Sequence, residues 1–414
     1  MYIKSSSLKI VGLATILAAT QIVAQKLYTD SISDMDQFLT QLLQTYPQSN
    51  GRRSEIIQCN FPGMCPDGTV KDSCQWERIF YVQVTDPATR MIQVVTNSLP
   101  NHCYYVYSNP PVGIQYITEP ASQANTYQFK MRFNLPISDM YQFRKQTQGP
   151  YVNSKLEDQT SVDISQCNYI WASSGTIDEN VYYDEATSAT WSQTNFNTQV
   201  WNVGTSTPYL NLANPDSVVG IALNGVFIFG AVNEFGYDAF FPIKYGEKLN
   251  PQGVEADICL GSVYQSTYKY HMFSPCILPN SLQKISAPCD NDCQKQIAAH
   301  SISTIPDKLK TIFPIGLAKD GRVIYGPYNS DQTLWQPCDV DICNGRTFQQ
   351  DYYGYVSTMF FPYMIGCWGP GTNVLKLNAE CGGIKRICAS SDSLSGISLI
   401  FSSIFVATTS YLFA

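Results

Sequence analysis

The strongest constraint on the fold is an internal repeat in the second half of the chain. Residues 220–230 match residues 316–326, and each copy has two strand-like segments around a turn dipeptide. The turn dipeptides are Asn224-Gly225 and Asp320-Gly321. Because Asn-Gly and Asp-Gly accept the positive φ angles of a type I′ turn, each copy predicts a β-hairpin with that turn.

The repeat continues beyond the hairpins in the same order, with a D-I-C-x-G segment, a Y-x-Y segment and a cysteine. In the first copy these residues are Asp257, Cys259, Gly261, Tyr268, Tyr270 and Cys276, and in the second Asp341, Cys343, Gly345, Tyr353, Tyr355 and Cys367. A shared order over this length predicts two related β modules, over residues 206–290 and 300–388.

Composition favours the same fold class. Charged residues make up 14% of the chain, against about 25% in an average soluble domain. Aromatic residues reach 13%, and residues 127–133 alternate apolar and polar as strands do. We expect a mainly β fold of disulfide-rich β-sandwich or barrel-like modules, with hairpin repeats and few short helices, such as 34–45 and 291–300. An N-terminal β domain over 25–205 would precede a domain over 206–390.

Both ends of the chain resemble targeting signals. Residues 1–24 have a basic start, an apolar run and a possible cleavage site after Ala24, as in a secretory signal peptide. Residues 397–414 carry no charge, and no basic residue follows them. We therefore expect 391–414 to be a GPI-attachment signal, with a C-terminal transmembrane anchor or plain secretion as alternatives. The candidate attachment residues are Ser390, Ser391 and Ser393.

The cysteine count agrees with export. The chain has 14 cysteines, and an even number in a secreted protein predicts disulfides, here up to seven. Spacing alone leaves their pairing open, and zinc ligation is the alternative. The cysteines are Cys59, Cys65, Cys74, Cys103, Cys167, Cys259, Cys276, Cys289, Cys293, Cys338, Cys343, Cys367, Cys381 and Cys388.

Charge and motif content exclude several classes of function. The net charge of −7 argues against nucleic-acid binding, which needs clustered Lys and Arg. Only three histidines are present, and neither a nucleotide-binding glycine loop nor an H-E-x-x-H zinc motif occurs. We therefore expect no cofactor, with a divalent metal as the alternative.

The repeated segments resemble the YHYH-domain family. That family carries a Tyr-His-Tyr-His motif after an Asp-x-Cys-x-Gly-His segment, between an Asn-Gly hairpin and an Asp-Gly hairpin. Here residues 268–271 read Tyr-Lys-Tyr-His, and residues 353–356 read Tyr-Gly-Tyr-Val. Ser262 and Lys269 stand where the family has histidines. The resemblance implies a fold but no defined activity, and these departures predict that any histidine-based site is degenerate here.

The residues best suited to chemistry lie around this motif. The catalytic candidates are His271, Asp257, Tyr268 and Tyr270, and the candidate metal ligands are His271, His102 and Asp257. Alternation in a strand places Tyr268 and Tyr270 on one face and Lys269 and His271 on the other. A lysine beside His271 lowers the pKa of the imidazole and disfavours a cation. The alternative is structural, with Asp257 and Asp341 accepting backbone N–H groups in turns.

These observations favour a GPI-anchored or secreted cell-surface protein with a binding, adhesive or protective role. The partners expected are an extracellular ligand, either a glycan or a protein, and the membrane through a lipid anchor. The alternatives are an extracellular metal-dependent enzyme and a carbohydrate-binding module that uses exposed Tyr and Trp. The acidic aromatic residues 233–238 are a candidate sugar-recognition loop.

Overall fold

The computed structural model confirms a mainly β, disulfide-rich fold with two large sheets. It describes residues 26–44, 54–60, 63–67, 69–104, 120–121, 126–136, 145–150, 152–153, 156, 200–201, 218–231, 239–240, 254, 256–264, 267–279, 282, 297–349, 352–366, 370–371 and 385–388. Among these residues no helix is long and apolar enough to cross a membrane.

The predicted first helix is observed as α1, Ile32–Gln44. Ser31 begins it, because the Ser31 hydroxyl accepts the Asp34 N–H at 3.1 Å, as in an N-cap. The buried side chains of α1 follow helical spacing, so one face of the helix packs on the core. They are Met35, Phe38, Leu39 and Leu42.

The N-terminal sheet has five strands in the order β1-β4-β5-β6-β8. Its neighbouring strands are antiparallel except for the parallel pair β6–β8. The strands are β1 Ser54–Cys59, β4 Cys74–Asp86, β5 Met91–Thr96, β6 Tyr127–Arg132 and β8 Val200–Trp201. Alternate residues of β6 are buried, which confirms the period-2 prediction for this segment.

The second sheet has eight strands in the order β11-β12-β10-β9-β13-β14-β16-β15. They are β9 Val218–Ala222, β10 Phe227–Phe229, β11 Gly261–Tyr264, β12 Thr267–Tyr270, β13 Pro314–Ala318, β14 Val323–Tyr325, β15 Gly345–Gln349 and β16 Tyr352–Val356. The first repeat supplies one half of this sheet and the second repeat the other half, so the two modules share a continuous sheet.

The two halves meet in a self-symmetric register at the antiparallel pair β9–β13. The Cα partners are Gly316 and Ala222, Leu317 and Ile221, and Ala318 and Gly220. Replacing each residue by its counterpart in the other repeat leaves this set of pairs unchanged. The sheet therefore has a local pseudo-twofold axis between β9 and β13.

The repeated hairpins are present, but their turn is not type I′. Gly225 and Gly321 take φ of 84° and 83°, whereas Asn224 and Asp320 take no positive φ. The Gly225 N–H donates to Ala222 O at 2.9 Å, so each loop has three residues and ends on a left-handed glycine. The dipeptide suits both loop lengths, and pairing of the flanking strands selects the longer one.

The remaining described elements are short. They are helix α2 Ile297–Ile302, the 3₁₀ turns Asp307–Leu309 and Pro337–Asp339, and the strands β2 Gly63–Met64, β3 Val70–Lys71, β7 Gln148–Pro150 and β17 Lys385–Ile387. Helix α2 contains the end of the segment predicted as helical over 291–300, whose start lies outside the described residues.

The two sheets are joined by polar contacts between the end of β5 and the second sheet. The Thr96 hydroxyl donates to Gly225 O at 2.7 Å. The Ser98 hydroxyl donates to Tyr268 O at 2.6 Å and accepts the Phe227 N–H at 2.9 Å. Buried apolar side chains from both sheets belong to one continuous core.

All nine cysteines in the described part of the chain are disulfide-bonded. The pairs are Cys59–Cys103, Cys65–Cys74, Cys259–Cys276 and Cys338–Cys388. Cys343 is bonded as well. These pairings could not be derived from spacing.

Several predicted features lie outside the described residues. They are the signal peptide 1–24, the tail 391–414, the residues Ser390, Ser391 and Ser393, the acidic loop 233–238, the domain boundary near 205, and Cys167, Cys289, Cys293, Cys367 and Cys381.

Candidate functional site

The D-I-C-x-G segment of the first module forms a tight turn leading into β11. Asp257 Oδ1 accepts the Cys259 N–H at 2.9 Å and the Gly261 N–H at 3.0 Å. Leu260 takes a φ of 58° inside this turn. The carboxylate thus satisfies backbone donors of the turn, which is the structural role weighed for it from sequence.

The second module repeats the turn. Asp341 Oδ1 accepts the Cys343 and Gly345 N–H groups, each at 2.9 Å, and Asn344 takes a φ of 62°. Burial raises the pKa of Asp341 to about 6, although backbone N–H groups and Tyr353 donate hydrogen bonds to it.

The first tyrosine of each Y-x-Y segment reaches back to this aspartate. Tyr268 donates its hydroxyl to Asp257 Oδ2 at 3.0 Å, and Tyr353 donates to Asp341 Oδ2 at 2.7 Å. A Cβ on Gly261 would lie 1.9 Å from the Tyr268 hydroxyl. Any side chain at this position would clash with the tyrosine, so the glycine of D-I-C-x-G is required for the contact between Tyr268 and Asp257.

The second tyrosine of each segment reaches the hairpin loop of its own module. In the first module the Asn224 amide donates to the Tyr270 hydroxyl at 3.1 Å. In the second module Tyr355 donates its hydroxyl to Asp320 Oδ2 at 2.8 Å. The same positions make corresponding contacts in both modules, with opposite donor direction.

The first module differs from the second because His102 enters it from the N-terminal region. His102 Nε2 lies 2.7 Å from the Tyr270 hydroxyl, and His102 Nδ1 lies 2.9 Å from Cys103 O. Nδ1 also lies 3.3 Å from Cys259 Sγ. His102 is 5% exposed, so these contacts are made away from solvent.

The hydrogen bonds around His102 determine which nitrogen of its ring carries the proton. Because the Asn224 amide donates to Tyr270, the Tyr270 hydroxyl is free to donate to His102 Nε2. The ring proton then sits on Nδ1 and points to Cys103 O. Burial, together with the positive charge of Arg78, lowers the pKa of His102 to about 4, so the imidazole is neutral near pH 7.

Three buried potential metal ligands meet at this point. They are His102, Cys259 and Cys276, whose ligand atoms all lie within 4.8 Å of one another. The two sulfur atoms are joined in a disulfide, and a disulfide supplies no thiolate. In the oxidised protein, the cluster is therefore a packing contact between the His102 imidazole and a disulfide, and it offers no thiolate to a metal.

His271 lies in a different environment from His102. Its Nδ1 is 2.6 Å from Gly230 O, and its ring contacts Phe229 and Phe240. Lys269 lies over the Phe229 ring, with Nζ 4.6 Å from the centroid. Burial lowers the pKa of His271 well below its usual value, and Lys269 lowers it further, as the sequence predicts for a lysine neighbour.

The predicted site residues therefore separate into two groups. Asp257, Tyr268, Tyr270 and His102 lie together, whereas His271 points to the opposite face with Lys269. His271 Nε2 has no hydrogen-bond partner among the described residues. The predicted set His271, His102 and Asp257 is not gathered around one point.

Sequence reasoning missed three contributors to the His102 cluster. Arg78 is fully buried and donates to Asn224 O from Nε at 3.1 Å. Tyr104 stacks on Tyr268 with centroids 4.8 Å apart. The Asn224 side chain was predicted only as a turn former. An arginine within a predicted strand was the one signal available from the sequence, because a cation that becomes buried needs partners. The structure pairs Arg78 with Glu55 at 3.1 Å.

Comparison with known proteins adds no further assignment. No protein-family model, curated protein sequence or solved structure matches the chain. The resemblance to the YHYH-domain family stays a prediction from the quoted motifs.

Proposed function

We propose that the chain is a cell-surface protein, GPI-anchored or secreted, with a binding, adhesive or protective role. In this proposal its YHYH-like residues stabilise the fold and do not catalyse a reaction. The observation that carries the proposal is the duplication of one buried arrangement, in which Tyr268 donates to Asp257 and Tyr353 donates to Asp341.

A structural role follows from how the two carboxylates are used. Asp257 and Asp341 are each 1% exposed. In both, one oxygen accepts two backbone N–H groups and the other accepts a tyrosine hydroxyl. A carboxylate engaged in this way has little capacity to exchange protons with a substrate, and a single active site would not need two copies.

The histidines support the same proposal. His102 and His271 are buried, and burial lowers the pKa of both. A general acid or base must reach the substrate proton within hydrogen-bonding distance. The ring of His102 contacts Tyr270, and the ring of His271 contacts Gly230, both inside the protein. These positions suit packing and do not bring either ring to a substrate.

Export is supported by the cysteines. Disulfides are typical of secreted and cell-surface proteins and rare in the cytosol, and every cysteine in the described ranges is bonded. An edge strand offers one surface for a partner. β1 lies at the edge of the N-terminal sheet, and its Ile56 is 56% exposed.

The test is expression of the full-length chain in a secretory host. We expect surface display that phosphatidylinositol-specific phospholipase C releases, and secretion into the medium when residues 397–414 are deleted. The released protein should contain 14 oxidised cysteines and no stoichiometric Zn, Cu, Fe or Mn. One bound equivalent of metal in this oxidised protein, or retention inside the cell with reduced cysteines, would contradict the proposal.

A further inference from the structure

We propose that reduction of the Cys259–Cys276 disulfide converts the His102 cluster into a binding site for one zinc ion. His102, Cys259 and Cys276 would be its ligands, and their ligand atoms already lie within 4.8 Å of one another. The inference goes beyond the proposed function, which concerns the oxidised protein.

The donor set fits zinc in particular. Zinc in proteins favours cysteine thiolates and histidine nitrogen in tetrahedral geometry. Two thiolates from Cys259 and Cys276 balance the charge of the dication, and His102 adds a neutral nitrogen. Three protein ligands leave a fourth position for water or another donor.

His102 is already oriented as a metal ligand. Its Nδ1 lies 3.3 Å from Cys259 Sγ, and its Nε2 lies 2.7 Å from the Tyr270 hydroxyl. Histidines that bind metal usually donate the other ring N–H to a fixed partner. When Nδ1 binds zinc, its proton moves to Nε2, and Nε2–H donates to Tyr270. Tyr270 is itself held by Asn224 and Ser274.

Both cysteines are held in place independently of the bond between them. The Cys259 N–H donates to Asp257 Oδ1 at 2.9 Å, and the Cys276 N–H donates to the Ser274 hydroxyl at 3.0 Å. Zn–S bonds of about 2.3 Å place two sulfurs about 3.8 Å apart. Side-chain rotation provides this separation while the two turns stay fixed.

The chemistry balances with a dithiol as reductant. The dithiol gives two electrons and two protons to the disulfide, which yields two Cys–SH groups and the oxidised, cyclic disulfide of the reductant. Zinc then displaces one proton from each thiol, so binding releases two protons and leaves the total charge of His102 unchanged.

The second module shows why the site is specific to the first. It repeats the Asp341–Cys343 turn, but its Tyr355 donates to Asp320, whereas Tyr270 of the first module lies 2.7 Å from His102 Nε2. Lys269 makes the His271 face a poor alternative, because an ammonium group repels a dication. The proposed site therefore depends on His102.

The experiment uses the mature protein from a secretory host and Co²⁺ as a spectroscopic probe for zinc. The protein is reduced with a water-soluble phosphine, which is oxidised to its oxide with oxygen from water, and then desalted without air. We expect one Co²⁺ per reduced chain, with thiolate-to-cobalt absorption that Zn²⁺ abolishes. The oxidised protein should show none of this absorption. His102→Ala should weaken binding at least tenfold, and His271→Gln should leave it unchanged.

A second measurement keeps the proposal testable if reduction loosens the fold. Reduced protein is alkylated with iodoacetamide, with and without Zn²⁺, and its cysteine peptides are quantified by mass spectrometry. Zn²⁺ should protect Cys259 and Cys276, should leave Cys65 and Cys74 reactive, and should give no protection in His102→Ala. Equal alkylation of Cys259 with and without Zn²⁺, or equal Co²⁺ affinity in His102→Ala, would overturn the proposal.

Discussion

His102 Nε2 lies 2.7 Å from the Tyr270 hydroxyl, and this hydrogen bond joins the segment that follows β5 of the N-terminal sheet to β12 of the eight-stranded sheet. The two residues are 168 positions apart. This contact distinguishes the first module from the second, in which the corresponding Tyr355 donates to Asp320. The two modules thus share a scaffold and differ in what contacts the second tyrosine.

Ring protonation of His102 should occur only in acid. Its folded-state pKa of about 4 lies below the ordinary 6.5, so the unfolded chain binds more protons between these values. Stability is therefore lost as pH falls from about 6.5 to about 4, by about 3 kcal/mol in all at 1.36 kcal/mol per unit. Histidine ring NMR signals, assigned with His102→Gln, should stay constant from pH 8 to about 5. A midpoint near 6.5 would contradict the assignment.

Asp341 should have the opposite pH dependence. Its folded-state pKa of about 6 lies above the ordinary 3.8, so the folded protein binds more protons between these values. Its contribution to stability therefore falls by about 3 kcal/mol as pH rises from about 4 to about 6. Urea unfolding of the wild type and Asp341→Asn across this range measures the difference. If the difference in unfolding free energy does not change with pH, the prediction is wrong.

Gly261→Ala and Gly345→Ala should each destabilise the protein by about 1–3 kcal/mol, as overpacking does. The new methyl group would lie 1.9 Å from the Tyr268 hydroxyl or 2.0 Å from the Tyr353 hydroxyl. Thermal unfolding monitored by circular dichroism gives the loss. Neither glycine has a positive φ, so a backbone effect would not explain it. Melting temperatures equal to wild type would show that the tyrosines can move aside.

Tyr268→Phe and Tyr353→Phe should lower the free energy of unfolding by similar amounts if the Asp–Tyr pair is structural in both modules. Each removes a hydroxyl that donates to a buried carboxylate, which costs about 1–3 kcal/mol. Denaturant unfolding of the two variants gives the comparison. A catalytic or binding role confined to the first module would instead make Tyr268→Phe change ligand binding with little change in stability.

Cys259→Ser combined with Cys276→Ser should lower stability by about 3 kcal/mol, as the entropy of a 17-residue loop implies. The double substitution should leave the export of the protein intact, because the other disulfides remain. Secreted yield and urea midpoint measure the two effects. A change below about 0.5 kcal/mol would show that the hydrogen bonds of the two turns hold the segment without the bridge.

Much of the fold could be predicted from the sequence, because it depends on patterns that span only a few residues. The repeat around Asn224 and Asp320 predicted paired hairpins, and alternation predicted that Tyr270 and His271 face opposite sides. The turn type was wrong because the same dipeptide suits two loop lengths, and strand pairing selects between them. The pairing of Cys259 with Cys276 was not accessible, because spacing does not restrict connectivity.

The sequence by itself determined the mainly β class and the repeated hairpins, and it offered a turn role for the two aspartates as one of two alternatives. These follow from periods and dipeptides that act over a few residues, where backbone geometry allows few alternatives. The tertiary structure alone decided that both modules share one sheet, that His102 joins Tyr270 and Cys259, and that His271 lies apart from them. Such contacts join segments far apart in the chain, and their partners are selected by packing of the whole core.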